Sequence, residues 1–186
     1  MLNYLLFVDS QITHFINLLL PHNQFFDKFF SFFSLTGGSF FIWVAIIILV
    51  VVLEEIMHPG IQKRDIKFVL IFLITFLITF VLSDLLLKNI FQRHRPMYTY
   101  EVHKVINLCP KDFSFPSSHA ATAFASATVL AFFDKKRKWF YYGVAILISL
   151  SRIYLQCHYF GDVIAGCICG LFISVLIIKS KIKLIR

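Results

Sequence analysis

The sequence FVLIFLITFLITFVLSDLLL, residues 68–87, decides the fold class of this chain. It contains a single charged side chain, Asp84, and a helix of about 20 mainly apolar residues is long enough to cross a bilayer. The whole chain has the same character, because 59% of its 186 residues are hydrophobic and its mean hydropathy is +0.79. A soluble domain is much less apolar. We therefore expect one all-α, membrane-embedded domain that comprises residues 1–186.

Further apolar segments predict a polytopic helical bundle with about six transmembrane helices. Besides 68–87, spans are expected at residues 39–53, 120–133, 140–155 and 163–178, several of them extended by flanking residues. Residues 2–20 are also expected to cross, although they include Asp9, Gln11 and His14. The Phe-rich residues 25–35 are too short to cross and are predicted to form an interfacial helix. The alternative is that both N-terminal segments lie on the surface, which leaves five spans.

Basic residues between the spans predict the orientation. One side of the membrane receives 11 of the 18 lysines and arginines, namely Lys63, Arg64, Lys67, Lys135, Lys136, Arg137, Lys138, Lys179, Lys181, Lys183 and Arg186. Short cytoplasmic loops collect such residues, so this side and the C-terminus are predicted to be cytoplasmic. The net charge of +8 thus indicates orientation in a membrane rather than binding to nucleic acid. No cleavable signal peptide is recognisable, so the first helix is expected to remain in the mature protein.

The opposite side holds cations that contradict this charge rule. They are Lys88, Arg93, Arg95, Lys104, Lys111 and Arg152. Charges at such positions need a partner, and a bound anion would supply one. Two cysteines, Cys109 and Cys157, could form a disulfide on this side if their loops meet, whereas Cys167 and Cys169 lie in an apolar run.

The first polar segment on this side is KNIFQRHRP, residues 88–96. Lys88 and Arg95 stand seven positions apart, so a helix that continued to Pro96 would carry both on one face. Taken alone, they could equally be a snorkelling lysine and an interfacial arginine. Arg93 and His94 point elsewhere on the helical wheel and are predicted to be solvated or at the level of the headgroups.

The second segment is FPSSH, residues 115–119, just before a helix of small residues. Ser117 and Ser118 at a helix start leave backbone N–H groups free, and these groups with the helix dipole favour an anion. His119 lies in the first turn, where it could donate a proton to a group bonded to that anion. An ordinary helix cap is the alternative interpretation.

The third segment is SRIYLQCHYFGD, residues 151–162, which contains Arg152. His158 and Asp162 are four residues apart, so on a continuous helix the carboxylate can reach the imidazole. That contact would fix the imidazole tautomer and stabilise the imidazolium. A carboxylate at the start of a span also needs a partner. A capping Asp beside an interfacial His is the alternative.

Together the three segments resemble the signature of the type 2 phosphatidic acid phosphatase (PAP2) superfamily, which includes membrane lipid phosphatases and soluble vanadium haloperoxidases. The matching positions are Lys88-x6-Arg95-Pro96, Pro116-Ser117-Ser118-His119 and Ser151-Arg152-x5-His158-x3-Asp162. One position departs from the family pattern, because Ser118 stands where glycine is common. Serine is small and keeps its backbone N–H, so the anion site is expected to survive.

The resemblance implies a phosphatase that needs neither metal nor cofactor. His158 would attack phosphorus to form a phosphohistidine, Asp162 would support it, and His119 would protonate the leaving oxygen. The phosphoryl oxygens would be held by Lys88, Arg95, Arg152, Ser117 and the backbone N–H groups near Ser118. Positioned cations can provide most of the charge stabilisation that phosphoryl transfer requires.

The expected substrate is a membrane lipid phosphate, with the site on the exterior face of a multi-pass cell-membrane protein. The resemblance favours undecaprenyl diphosphate, phosphatidic acid or phosphatidylglycerol phosphate. Dephosphorylation of lipid A and transfer of phosphate to a second lipid are alternatives within the family, and residues 97–115 are expected to shape headgroup choice. A transporter of an anionic lipid or solute is the alternative from another class. It is disfavoured because the charges collect at one end of their helices.

Overall fold

The computed structural model describes residues 2–34, 38–57, 63–96 and 109–183, and every regular element within these ranges is helical. In chain order they are α1 Leu2–Leu19, α2 Gln24–Ser34, α3 Gly38–Met57, α4 Lys63–Phe80, a π-helical segment Val81–Leu87, α5 Lys88–Phe91, α6 Ser118–Phe133, α7 Lys138–Tyr154 and α8 Phe160–Lys183. The predicted all-α class is confirmed. Lys104, most of the predicted headgroup connection and Arg186 lie outside the described residues.

Among the described residues, two helical stretches are long and apolar enough to cross a membrane. They are Ile66–Phe91, which combines most of α4 with the π-helical segment and α5, and Phe160–Ser180 in α8. Leu77 and Phe172, one from each stretch, are 61% and 64% exposed, which suits helices that face lipid. These stretches contain the spans predicted at 68–87 and 163–178. The total of six spans stays a prediction.

Helix α6 occupies the centre of the described bundle, where it packs against α4, α7 and α8. Small residues line it, and all of its Ala residues up to Ala127 are fully buried. Larger side chains from neighbouring helices fill the space around it, among them Trp43, Phe72 and Tyr141. The small side chains allow the surrounding helices to approach closely. The start of α6, where Ser117, Ser118 and His119 lie, is thereby fixed relative to three other helices.

Two glycines of α8 set the distance between α8 and α6. A Cβ atom added at Gly166 would lie 2.4 Å from the carbonyl oxygen of Ser117, and one added at Gly170 would lie 2.1 Å from that of Ala121. The two positions are one turn apart, so they form one small-residue face of the kind that lets membrane helices touch through their backbones. The N–H of Ser117 also donates to the carbonyl oxygen of Asp162 at 3.0 Å. This packing holds the start of α6 beside the start of α8.

Several polar residues of the N-terminal helices have partners inside the protein. The side-chain amide of Asn17 in α1 donates to the carbonyl oxygen of Ile153 in α7 at 2.8 Å. In α2, Phe30 stacks on Tyr154 with ring centroids 4.4 Å apart, and Asp27 accepts a hydrogen bond from the Tyr154 hydroxyl. Both helices therefore pack on α7. That α1 crosses the membrane and α2 lies in the interface stay predictions.

Candidate active site

A cavity of about 440 Å³ opens at the N-terminal end of α6. One part of it is lined by charged and polar side chains, namely Asp84, Lys88, Arg95, Asp112, Ser118, His119 and Thr122. The other part is apolar and includes Phe40, Phe76 and Phe80. Residues from all three polar sequence segments lie at or beside the charged part, so the structure brings together what the sequence places far apart.

Lys88 and Arg95 converge on one carboxylate, that of Asp112. Lys88 is 3% exposed and pairs with both Asp84 and Asp112, while Nη2 of Arg95 lies 2.6 Å from Oδ1 of Asp112. The expectation that the two cations share a helix face is wrong. Helix α5 ends at Phe91, because Gln92 adopts a left-handed conformation (φ 46°) and turns the chain. The cations therefore meet through tertiary structure.

The sequence analysis did not identify Asp112. The one signal available was its position in a connection that is rich in cations. Partial burial alone would raise the pKa of this carboxyl, but hydrogen bonds and charge interactions with Lys88 and Arg95 outweigh burial and lower the pKa. Asp112 is thus ionised at neutral pH. Its two oxygens reach two cations, as two oxygens of a phosphoryl group would.

His158 lies in the connection between α7 and α8 and is 1% exposed. Burial, together with the nearby charges of Arg95, Arg152 and Lys88, lowers the pKa of His158 well below its usual value, so the imidazole is neutral. Nη1 of Arg95 lies 3.0 Å from Nε2 of His158. Because a guanidinium can only donate, Nε2 accepts this bond and Nδ1 carries the proton. The unprotonated nitrogen therefore faces the cations.

Asp162 approaches the other side of the His158 ring. Oδ2 of Asp162 is 3.6 Å from Nδ1 of His158, which is close but longer than a hydrogen bond. The prediction that both residues share a continuous helix is wrong, because α8 begins at Phe160 and His158 precedes it. Asp162 instead caps this helix, since Oδ2 accepts the N–H of Tyr159 at 3.0 Å. The predicted proximity of the two side chains is nevertheless found.

Arg93 is part of this cluster, and its predicted solvated position is wrong. The side chain is 16% exposed, with Nη1 donating to Oδ1 of Asp162 at 2.7 Å and Nη2 lying 2.8 Å from Oδ2 of Asp9. The prediction failed because the chain leaves the helix at Gln92, so a helical wheel no longer applies to Arg93. His94 is exposed, as predicted.

The remaining predicted residues surround the same region. Ser117 caps α6 by accepting the N–H of Ala120, and Ser118 begins the helix. Nε2 of His119 is buried with no hydrogen-bond partner among the described residues, on a side chain that lines the cavity. Arg152 is fully buried and donates to the carbonyl oxygen of Ser34 at 3.1 Å. Its charge is close enough to lower the pKa of His158.

A disulfide joins two loops beside the site. Cys109 and Cys157 are bonded, with Cα atoms 5.4 Å apart, which confirms the pairing that the sequence left open. Cys157 directly precedes His158, and its carbonyl oxygen accepts a bond from Nη1 of Arg95 at 2.7 Å. The bond thus ties the loop that carries Asp112 to the loop that carries His158.

The site contains two histidines, a buried carboxylate and paired cations. A comparison with known protein families agrees with this arrangement. The PAP2 superfamily profile matches residues 66–186, which include all three polar segments. This chain belongs to the PAP2 superfamily. Membership supports a phosphatase, and the two long apolar stretches among the described residues agree with a location in a membrane.

Three curated relatives of this PAP2 chain are named as phosphatases of three different lipids. It is 33% identical to phosphatidylglycerophosphatase B of Bacillus subtilis over 118 residues, which are 56% of this chain and 55% of that protein. It is 29% identical to an undecaprenyl-diphosphatase of Sulfolobus acidocaldarius, over 77% of this chain and 66% of that protein. It is 30% identical to lipid A 4'-phosphatase of Bacteroides thetaiotaomicron, over 92% of this chain and 76% of that protein. The chain thus matches less than two thirds of the first two relatives' lengths.

A solved structure has the same fold as this PAP2 chain. The crystal structure of a transmembrane PAP2-type phosphatidylglycerolphosphate phosphatase from Bacillus subtilis superposes with a TM-score of 0.66 at 23% identity. The superposition covers 97% of this chain and 88% of the other. The helical arrangement therefore extends over nearly the whole length of both proteins.

Proposed function

We propose that this PAP2 chain removes phosphate from a membrane lipid through a phosphohistidine formed at His158. The observation that carries the proposal is the contact between Arg95 and His158. One guanidinium holds the unprotonated Nε2 of a neutral imidazole and, at the same time, a carboxylate that resembles a bound phosphoryl group. A phosphate in place of that carboxylate would lie next to the nucleophile.

The residues of the site fit a two-step transfer. Nε2 of His158 attacks phosphorus, the bond to the lipid oxygen breaks, and His119, protonated in the complex with the anionic substrate, gives that oxygen a proton. Nδ1–H of His158 then faces Asp162, whose negative charge stabilises the cationic phosphohistidine. In the second step water attacks phosphorus and loses a proton to His119, and the P–N bond breaks to release inorganic phosphate. Lys88, Arg95 and Arg152 stabilise the negative oxygens in both steps.

The shape of the cavity supports a lipid substrate. Its charged part contains Lys88 and Arg95, and its apolar part continues along Phe40, Phe76 and Phe80. A site with a few polar groups at one end of an apolar surface binds a molecule that has a charged head and a hydrocarbon tail. The three curated relatives are named for lipid phosphates or diphosphates, which gives the same substrate class.

We propose further that the site faces the exterior. Disulfides persist in oxidising compartments and are rare in the cytosol, and the Cys109–Cys157 bond lies beside the site. The charge rule places the site on the same side, because Lys135 and Lys136 lie at the opposite end of α6, on the side predicted to be cytoplasmic. The active centre would then meet lipid headgroups of the outer leaflet.

An assay of purified protein in detergent tests the proposed function. We expect release of inorganic phosphate from at least one of undecaprenyl diphosphate, phosphatidic acid, phosphatidylglycerol phosphate and lipid A, with an unchanged rate in EDTA. Chromatography of the lipid products separates hydrolysis from transfer of phosphate to a second lipid. Loss of activity in EDTA would contradict the metal-independent mechanism. Transport of these lipids in vesicles without phosphate release would favour the transporter.

The position of Asp112 gives a prediction for anion binding. A phosphate that binds Lys88 and Arg95 must displace this carboxylate, so Asp112→Asn is expected to strengthen inhibition by orthovanadate or inorganic phosphate. A partly exposed ion pair contributes roughly 1 kcal/mol or less, so the inhibition constant should fall by up to about fivefold. The measurement is inhibition of phosphate release at fixed substrate concentration.

The matched control for this prediction is Asp134→Asn. Asp134 pairs with Arg137 at 2.9 Å at the far end of α6, so it has the same chemistry at a distance from the site. Its substitution is expected to leave the inhibition constants within about twofold, because it removes no charge near Lys88 or Arg95. Weaker inhibition of Asp112→Asn would show that the carboxylate orders the cations rather than competing with the anion.

A further inference from the structure

The N-terminal helix α1 caps helix α8, which carries Asp162. Oδ1 of Asp9 accepts the N–H of Gly161 at 2.7 Å, and the Thr13 hydroxyl accepts the N–H of Phe160 at 2.9 Å. The first N–H groups of a helix have no partner within the helix and must be satisfied by other groups. Two of these N–H groups are satisfied by α1, from a segment 147 to 152 positions away along the chain. The start of α8 is therefore built jointly by α1 and α8.

Arg93 joins this cap to the proposed catalytic pair. Its guanidinium donates to Oδ1 of Asp162 at 2.7 Å and lies 2.8 Å from Oδ2 of Asp9. It also lies 4.0 Å above the centroid of the Tyr159 ring, a favourable cation–π distance. The carbonyl oxygen of Arg93 accepts the N–H of Ser114 at 2.8 Å. Arg93 is thus held through both its backbone and its side chain.

These contacts determine which oxygen of Asp162 faces His158. Asp162 is fully buried, with Oδ1 engaged by Arg93 and Oδ2 left between the N–H of Tyr159 and Nδ1 of His158. Without Arg93 the carboxylate could rotate, and either oxygen could turn away from the imidazole. Without a second carboxylate, the charge of Arg93 would also offset the negative charge of Asp162 that stabilises the phosphohistidine. Asp9 supplies the compensating negative charge.

We propose that Arg93 and Asp9 are positioning residues that hold Asp162 toward His158, which makes α1 part of the catalytic apparatus. Neither residue belongs to the three-part signature, and neither lines the cavity. The proposal rests on the nucleophilic role proposed for His158. Arg93 and Asp9 act on Asp162 rather than on the substrate, so their loss should affect the chemical step and leave phosphate binding intact.

The test compares Arg93→Gln, Arg93→Lys and Asp9→Asn. We expect kcat to fall about 10- to 100-fold in Arg93→Gln, the range found for residues that orient the ligands of metal sites, with KM within about threefold. Arg93→Lys keeps the charge and should recover part of kcat. Asp9→Asn keeps an oxygen for the N–H of Gly161 but loses the charge, and a smaller fall in kcat is expected. The inhibition constant of inorganic phosphate should stay within about twofold in all three variants.

The matched control is Arg137→Gln, which removes the arginine of the Arg137–Asp134 pair at the far end of the bundle. Its kcat should equal that of the wild type. Thermal unfolding in detergent is recorded for every variant, and Asp9→Asn decides the matter if Arg93→Gln does not fold. Folded Arg93→Gln and Asp9→Asn proteins with kcat within twofold of the wild type would overturn the proposal. A rise in the phosphate inhibition constant that matches the loss of kcat would also overturn it.

The same experiments separate this inference from the proposed function. If His158→Ala is inactive while Arg93→Gln and Asp9→Asn are fully active, the positioning role fails and the phosphohistidine mechanism stands. If His158→Ala retains activity, the mechanism itself fails, and any loss of kcat in the Arg93 variants needs a different explanation.

Discussion

His158→Ala is expected to lower the rate of phosphate release at least about 10⁴-fold, because loss of a catalytic nucleophile typically costs this much or more. The substitution removes Nε2, the ring nitrogen that lies 3.0 Å from Nη1 of Arg95. No phosphoenzyme should then form. The measurement is rapid quenching, in alkaline detergent, of protein mixed with a ³²P-labelled lipid phosphate, followed by detection of label on the protein that is stable in base and released by acid.

Two comparisons make this experiment decisive. His94→Ala removes an exposed histidine only one residue from Arg93 and should leave both turnover and labelling unchanged. Inorganic phosphate should still bind His158→Ala, because Lys88 and Arg95 remain. Continued turnover by a folded His158→Ala protein would show that another group attacks phosphorus.

Gly170→Ala is expected to destabilise the protein by about 3 kcal/mol, at the upper end of the cost of overpacking. The added Cβ would lie 2.1 Å from the carbonyl oxygen of Ala121, so α6 and α8 must separate. Activity should fall as well, since this contact aligns His119 at the start of α6 with Asp162 at the start of α8. The measurements are the midpoint of thermal unfolding in detergent and the rate of phosphate release.

Gly143→Ala is the matched control for this prediction. Gly143 lies within α7, and nothing lies within 4 Å of a Cβ added there. Alanine is the better helix former by roughly 1 kcal/mol, so this variant should be at least as stable as the wild type. Equal stability of the two alanine variants would show that close backbone contact does not hold α8 against α6.

Local sequence patterns were sufficient to predict the helical class and to indicate which distant polar residues lie close together. The run 68–87 is apolar enough to predict a span without knowledge of its neighbours. The resemblance of three motifs to one family signature predicts that Lys88, Arg95, His158 and Asp162 converge, and the structure brings these residues together. Such predictions succeed because hydrophobic length and motif spacing are properties of the chain itself.

The predictions that failed depend on where helices begin and end. Gln92 ends α5 in a left-handed conformation, although neither glycine nor asparagine marks the position. As a result the helical wheel misplaced Arg93. His158 similarly lies in the loop before α8, whereas Asp162 lies in the first turn of α8 and caps it. Helix ends are decided by capping partners, and Asp9 and Thr13 come from a distant segment.

Residues that act through tertiary contacts could not be found from the sequence. Asp9 in an apolar helix indicates that a buried partner is required, but the sequence does not say which of many cations it is. Asp112 lies in a connection without a recognisable pattern, and its importance comes only from the two cations that reach it. The glycine spacing in α8 is typical of close helix packing, yet it does not identify α6 as the partner.

The bond between Cys109 and Cys157 encloses α6 and α7 in a covalent ring, with 48 positions between its ends. His119 and Arg152 belong to the ring, and His158 is the first residue after its closure, whereas Lys88 and Arg95 are outside it. A cross-link restricts the unfolded ensemble of the segment that it closes. If the N-terminal half detaches, the two histidines remain tethered to each other and to Arg152, while Lys88 and Arg95 leave. The two proposed reacting imidazoles and two of the three proposed phosphate-binding cations are therefore restrained separately.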